Sequence, residues 1–291
     1  MEKIEKLVTH AGVFHADDVF STAFLKMMFP DAEVIRTFKP EEYEGRDDVI
    51  IYDIGRGKFD HHQSNKEMRD ENVPYAAFGL LWREFATQWL IFNDMYCGDD
   101  TVAKMVDEDF IYAIDAADNG VMLCDNKHIT TATEIIKAFN PTWMDDSNSA
   151  DKYFNQAVAM ARIILRNEIY KCYTNYKATT IVMEAAEKAK ADGLNYVTLK
   201  KFIPWQGVIC NNFPEMDYMI YPGQRGGYNI QAIPVEIGST TSKKPFPEEW
   251  RGKSPDELKV IHPELTFCHN SGFLCAVDTL DGCVEIINNL L

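Results

Sequence analysis

Apolar positions change period along the first third of the chain, and each change marks an element. Phe20, Ala23, Phe24, Met27 and Met28 recur three and four apart, one stripe on a helix that begins at Asp17 and ends at Pro30-Asp31. On either side, Lys6-Leu7-Val8-Thr9 and Glu33-Val34-Ile35-Arg36-Thr37 read as short strands. Val49-Ile50-Ile51-Tyr52 is the strongest strand signal in the sequence and delivers Asp53 at its end. Two more helices are predicted over residues 75–91 (Phe78, Leu81, Trp82, Phe85, Trp89) and 101–118 (Val102, Val106, Phe110, Ile114), the second stopped by Asn119-Gly120. Strands alternating with helices of this length predict an α/β fold with a mostly parallel sheet flanked by helices.

Residues 149–192 continue as long helices (Ala157, Ala161, Ile164, Leu165, Ile169) that end at Asp192-Gly193. Beyond them the texture changes. Tyr218-Met219-Ile220-Tyr221, Asn229-Ile230-Gln231-Ala232-Ile233 and Glu236-Ile237 read as strands separated by Gly and Pro, with a closing helix over residues 281–291. The expected organisation is a catalytic domain over 1–192, long connecting helices included, and a smaller C-terminal α+β domain over 193–291.

Composition narrows the class. The chain has 291 residues, 46% hydrophobic and 25% charged, enough for two ordinary cores. No apolar run approaches the roughly 18–20 residues of a membrane-spanning helix, and the N-terminus lacks the apolar core of a signal peptide. A cytoplasmic protein without a membrane partner is expected. Seven scattered cysteines, an odd number without a CxxC pair, read as reduced thiols. The net charge of −16 comes from 45 acidic and 29 basic residues. It argues against wrapping duplex nucleic acid over the whole surface, since such binding rests on many Lys/Arg–phosphate contacts. Polyanion chemistry at a local site is still allowed.

The densest chemistry is Thr9-His10-Ala11-Gly12-Val13-Phe14-His15-Ala16-Asp17-Asp18, where a strand gives way to a helix. Ligands of open α/β sheets bind beyond the carboxyl ends of the strands, so this loop lies on the functional edge. Taken alone, the same residues could be polar loop positions and a helix cap. A second cluster changes that balance: Asp53 ends its strand, and Phe59-Asp60-His61-His62-Gln63 follows within ten residues. A third candidate lies in Ile114-Asp115-Ala116-Ala117-Asp118-Asn119-Gly120, where Asp115 and Asp118 share a helix face. Mixed imidazole and carboxylate donors suit Mn²⁺, Fe²⁺, Zn²⁺ or Co²⁺ better than an all-oxygen magnesium site. Seven His/Asp candidates exceed the needs of one ion. They match a pair of divalent ions bridged by a carboxylate, an arrangement that activates water for in-line displacement at phosphorus.

THAGVFHADD, the strand-borne Asp53, FDHHQ and IDAADNG together resemble the ordered motifs of the DHH phosphoesterase superfamily. That superfamily includes RecJ-type nucleases, oligoribonucleases and manganese-dependent family II pyrophosphatases. Over nearly the whole chain the sequence is more closely similar to the MYG family (melanocyte proliferating gene one), described as 3′–5′ RNA exonucleases. That similarity extends through Phe202-Ile203-Pro204-Trp205, Gln231-Ala232-Ile233-Pro234, Glu249-Trp250-Arg251-Gly252 and Phe267-Cys268-His269-Asn270-Ser271-Gly272-Phe273. The resemblance implies two divalent ions, manganese first, with Mg²⁺, Co²⁺ or Zn²⁺ as alternatives. It implies His10 and His15 at the first ion, Asp17, His61 and Asp118 at the second, and Asp53 as the bridge. His62 would face the substrate and Asp60 would orient a histidine. Asp18 stands where the family usually has Glu, which argues against direct ligation there. A second domain would bring His269, Ser271 and Gly272 to the phosphate, with Arg251, Lys243 or Lys244. Tyr218, Tyr221 and Tyr228 are read as core before base-stacking.

The expectation is therefore a two-metal phosphodiesterase acting on single-stranded RNA or short oligonucleotides, with homodimerisation compatible. Alternatives are a hydrolase of a small phosphoester (a dinucleotide, nucleoside bisphosphate or pyrophosphate) and a non-enzymatic metal-binding interaction protein.

Overall fold

Three short parallel strands organise the first part of the chain. β1 (Lys6–His10) lies between β2 (Glu33–Thr37) and β3 (Val49–Ile51), so that Leu7 pairs with Val34 on one side and with Ile50 on the other. Leu7, Val8 and Thr9 are fully buried, as the middle strand of a parallel sheet requires. The computed structural model describes residues 3–69, 72–126, 128–146 and 149–291. The chain divides into two compact units between Tyr173 and Thr174.

In the first unit α1 (Ala16–Met28) packs against β1, and against α2 (Ala77–Phe92). Its first ten residues, Ala16 to Leu25, are all buried, polar ones included, which marks a core helix rather than a surface one. The apolar stripe of α2 is buried at Phe78, Leu81, Trp82 and Trp89, and Trp82 meets Phe24 of α1 with ring centroids 5.0 Å apart. The single helix expected over 101–118 is three pieces: α3 (Thr101–Val106), a π-helical turn (Asp107–Ile111) and α4 (Tyr112–Asp118). Short α5 (Ala132–Lys137) opens on Thr131, whose hydroxyl accepts the amide of Glu134 while the Glu134 carboxylate accepts the amide of Thr131.

Residues 150–191 form one continuous helix, α6 (Ala150–Ala191), where the sequence suggested several. Phe154, Ala157, Ala161, Leu165, Ile169 and Cys172 bury one face in the first unit, and Ala178, Val182, Ala186 and Ala189 do so in the second. The division at Tyr173 thus falls inside a helix, whereas Asp192-Gly193 marks the helix end.

The second unit is built on a mixed five-stranded sheet in the order β4 (Tyr196–Thr198), β5 (Tyr218–Pro222), β6 (Tyr228–Ala232), β8 (Leu274–Val277), β7 (Leu265–Cys268). Only β4 and β5 run parallel. Alternation along β5 supplies both faces. Met219 and Tyr221 join Val197, Ile209 and Ile233 against α6 and α7 (Gln206–Asn212), while Tyr218 and Ile220 join Phe246, Trp250, α8 (Pro255–Ile261) and α9 (Leu280–Leu290). Tyr218 and Tyr221 are therefore core residues. Glu236-Ile237 is a turn and not a strand: Pro234 and Gly238 bracket it, and Val235 and Ile237 stay exposed without a pairing strand. Among the described residues no helix is long and apolar enough to cross a membrane.

One buried ion-pair network ties the first unit together. The Arg69 guanidinium donates to Asp115 through Nε (2.7 Å) and to Asp107 in the π-helical turn (2.7 Å), with Tyr75 and Tyr112 beneath it. Asp115 also accepts the amide of Gly79, where a Cβ would lie 2.0 Å from its carboxylate. Arg69→Ala is expected to cost about 3–5 kcal/mol, because it leaves a buried carboxylate uncompensated. Chemical denaturation of the metal-free protein measures it, and a loss under about 1 kcal/mol would show the network to be dispensable.

Candidate metal centre

His10 leaves the end of β1, and the loop behind it is fixed from two sides. Asn140 clamps Phe14, accepting its amide at 3.0 Å and donating to its carbonyl at 2.8 Å. Arg36 donates to the Gly12 carbonyl at 2.7 Å while its guanidinium lies over the rings of Phe14 and Phe154. His15 then occupies the N-cap of α1, and its amide donates to the Asp18 carboxylate at 2.7 Å. Two neighbouring aspartates thereby part company. Asp17 turns away to accept the amides of Ala77 (3.0 Å) and Phe78 (2.7 Å), supplying the cap that Ala76 cannot give α2. Asp18 points its other oxygen at His10.

Asp53 follows β3 in a left-handed conformation, φ 53°, a region that aspartate tolerates better than most side chains. Its amide donates to the Phe59 carbonyl at 2.9 Å, closing the loop that returns Asp60, His61 and His62 to the strand end. The Asp53 carboxylate then faces three imidazoles: His10 Nε2 at 3.3 Å, His61 Nδ1 at 3.5 Å and His62 Nδ1 at 3.6 Å. His61 reaches Asp118 through Nε2 at 2.9 Å and stands 3.8 Å from Asp17. Asp60 accepts from His62 Nδ1 at 2.8 Å and from the amides of His62 and Arg56, so it fixes the orientation of the His62 ring.

Three sets of donors converge closely enough to grip an ion: His10, Asp18 and Asp53; Asp17, His61 and Asp118; and Asp53, Asp60, His61 and His62. Among the described residues, three buried polar atoms of these sets have no aligned hydrogen-bond partner: Asp18 Oδ2, Asp53 Oδ1 and His61 Nδ1. They lie 3.3–3.8 Å from opposite-charge groups without hydrogen-bond geometry. Orphaned lone pairs of this kind, on hard oxygen and imidazole nitrogen, fit divalent cations. His15 lines the same cavity with its ring 5.8 Å from His10 but stands outside all three sets. The sequence argues against Asp18 as a ligand, whereas the structure places its carboxylate in the first set. The shortness of its side chain is offset by its position in the first turn of α1, directly against β1.

Charge crowding shows in the protonation equilibria. Burial, with the charges of Asp53 and Asp118, drives the Asp17 carboxyl well above its usual range. Burial likewise lifts Asp18 to about 7 against the opposing pull of His10. For His10 burial works downward, but hydrogen bonding to Asp53 and the charge of Asp18 outweigh it and raise the imidazole to about 9. Burial also opposes the His61–Asp118 pair, whose hydrogen bond still raises His61 and lowers Asp118.

The C-terminal candidates lie together in the second unit. His269 Nδ1 meets the Ser271 hydroxyl at 2.8 Å, Gly272 takes φ 70°, and a Cβ there would lie 2.5 Å from Arg251 Nε. Arg251 itself donates to the Phe246 carbonyl. Lys243 is turned to the carbonyls of Pro214 and Met216, and Lys244 to Asp217.

The MYG1 exonuclease family model, described as an uncharacterised protein family (UPF0160), matches residues 6–291. The chain belongs to this family. A MYG1 protein of Schizosaccharomyces pombe is 26% identical over 327 residues, covering 100% of this chain and 98% of its own. The proteins named MYG1 exonuclease in Homo sapiens and Mus musculus are 27% and 26% identical, each over 97% of this chain and 84% and 83% of their own. No solved structure matches the chain significantly.

The metal-free protein should lose stability as pH rises. The folded state holds Asp18 at about 7 against an ordinary 3.8, and His10 at about 9 against 6.5. In both cases the native protein binds more protons than the unfolded chain, so stability falls from about pH 4 to 7 through Asp18 and then to about pH 9 through His10. Melting of EDTA-treated protein between pH 6 and 9 tests the sign, and a rising Tm would contradict the arrangement. At saturating Mn²⁺, about a hundred times Kd, stabilisation of about 2.7 kcal/mol is expected. Asp53→Asn should remove that increment while raising metal-free stability by about 0.5–2 kcal/mol.

Proposed function

We propose that the chain is a divalent-metal-dependent phosphodiester hydrolase of DHH type that removes nucleotides from the 3′ end of single-stranded RNA or short oligonucleotides. The observation that carries this reading is the meeting of Asp53 with His10, His61 and Asp18, in which buried polar atoms are left unmatched beside a cavity of about 810 Å³ lined by Asp53, His10 and His61. His10, Asp18 and Asp53 would hold one ion and Asp17, His61 and Asp118 the other, with Asp53 between them. Mn²⁺ is proposed first on the resemblance to manganese-dependent phosphoesterases, with Mg²⁺, Co²⁺ or Zn²⁺ as alternatives. Bound ions would supply Lewis acidity, lowering the pKa of water and countering charge that develops on phosphoryl oxygens.

The chain's own side chains do the positioning. Asp60 holds His62 by Nδ1, which fixes the ring and leaves Nε2 to meet a phosphoryl or leaving oxygen. Arg56, Lys66 and Lys137 line the same cavity and place positive charge where an anionic substrate must enter. His269, Ser271, Gly272 and Arg251 are the substrate contacts assigned to the second unit in this reading.

A second reading keeps the chemistry and changes the substrate to a small phosphoester. The net charge of −16 favours it, because long polyanions are repelled at a distance that short ones tolerate better. With Mn²⁺, 5′-labelled single-stranded RNA should shorten stepwise from its 3′ end, and Asp53→Ala should abolish the ladder. Asp60→Asn is expected to lower activity about 10–100-fold. Intact RNA with folded, manganese-loaded protein would end the nuclease reading. Turnover of a dinucleotide alone, with longer oligomers untouched, would establish the small-substrate alternative.

A further inference from the structure

A second cavity, of about 600 Å³, lies beside the His/Asp pocket, between α4 with its preceding π-helical turn and the loop that leads into α5. Phe110, Ala113, Ile114, Met122, Leu123 and Ile129 form its apolar wall. Three of these are large side chains left to solvent: Met122 is 75% exposed, Leu123 53% and Ile129 49%. Scattered exposed apolar residues need no explanation, but a cluster lining a concave surface of ligand size does. The cavity adjoins the chemistry: Ala117 and Thr133 line both recesses, and Asp118 follows Ala117 directly.

Charge separates the two recesses. Arg56, Lys66 and Lys137 line the His/Asp pocket; Lys66 donates to Asn119, whereas the Arg56 guanidinium and Lys137 ammonium have no acidic partner among the described residues. The charged groups of the apolar recess are Asp109, Asp125 and Glu134, and among the described residues no cation lines it. The first recess sets its cations against Asp53, Asp60 and Asp118, whose charge bound ions would offset, whereas the second offers a phosphate carboxylates alone. What fits both is a molecule with an anionic phosphate at one end and an uncharged, flat, poorly hydrated ring at the other. We infer that the apolar recess is a base subsite, which receives the nucleobase of the nucleotide whose phosphate occupies the His/Asp pocket. This rests on the proposed hydrolase reading and specifies where that site grips its substrate.

The test is calorimetric titration of the full-length, Mn²⁺-saturated protein with AMP and with ribose 5-phosphate, which carries the phosphate and sugar without the base. AMP should bind about tenfold or more tightly than ribose 5-phosphate, the scale of one buried base. In Met122→Asp and Leu123→Asp that ratio should fall toward one; both side chains are exposed, and an unchanged Tm confirms that each variant folds. Equal affinity of the two compounds for wild type, or a ratio that survives both substitutions, overturns the base subsite and leaves the hydrolase reading standing. Failure of both compounds to bind, together with intact RNA under Mn²⁺, overturns both.

Discussion

Burying aspartate is the constraint around which the first unit is arranged, since a desolvated carboxylate costs several kcal/mol unless matched. Asp17, Asp18, Asp53 and Asp115 all lie inside. Two are matched within the protein. Asp17 takes the first amides of α2, where the helix dipole also favours negative charge, and Asp115 takes Arg69 and the Gly79 amide. Asp18 and Asp53 receive histidines at 3.3–3.6 Å and keep oxygens unmatched. The fold therefore concentrates its uncompensated negative charge at one strand edge instead of spreading it. That concentration is what a cation would relieve, and through Asp53 and Asp18 it raises the His10 imidazole to about 9 against the downward pull of burial.

Much of this unit was legible in the sequence because its candidate His/Asp donors sit where strands end, and strand ends are announced by short apolar runs. Val49 to Tyr52 pointed straight at Asp53, and the sequence motif around His61 lay on the same edge. What escaped is decided by rotation and by distance along the chain. Consecutive residues in a helix point about 100° apart, so Asp17 and Asp18 could not be assigned separate partners without knowing where α2 begins. The Asn140 clamp on Phe14 joins residues 126 positions apart and leaves no periodic trace. Arg69 belongs to the same class: an isolated basic residue in a loop says nothing of the two aspartates it will reach.

The second unit was harder to read for a different reason. Its sheet is made of strands of three to five residues, too short for alternation to stand out from chance, and β4, β7 and β8 carry no run like that of β3. Glu236-Ile237 looked like a strand on residue type alone, but bracketing by Pro234 and Gly238 outweighs β propensity at that length. The one long element, α6, was legible as helix from Ala157, Ala161, Leu165 and Ile169, four apart, but its continuity past Tyr173 was not, and several helices were expected where there is one.

Net acidity and polyanion chemistry are reconciled by the ranges over which each acts. The charge of −16 is a property of the whole surface and is felt beyond about 8–10 Å only as far as salt allows. Inside the cavity the fields are those of particular groups a few ångströms away: Arg56 and Lys137 at the wall, imidazoles around Asp53, and any cation that Asp18 and Asp53 hold. In water-poor surroundings such short-range terms exceed the screened repulsion of distant carboxylates. On the proposed hydrolase reading, the global charge would bear on which polyanions arrive and how fast, while the handful of residues at one strand edge would decide what happens to the phosphate that does.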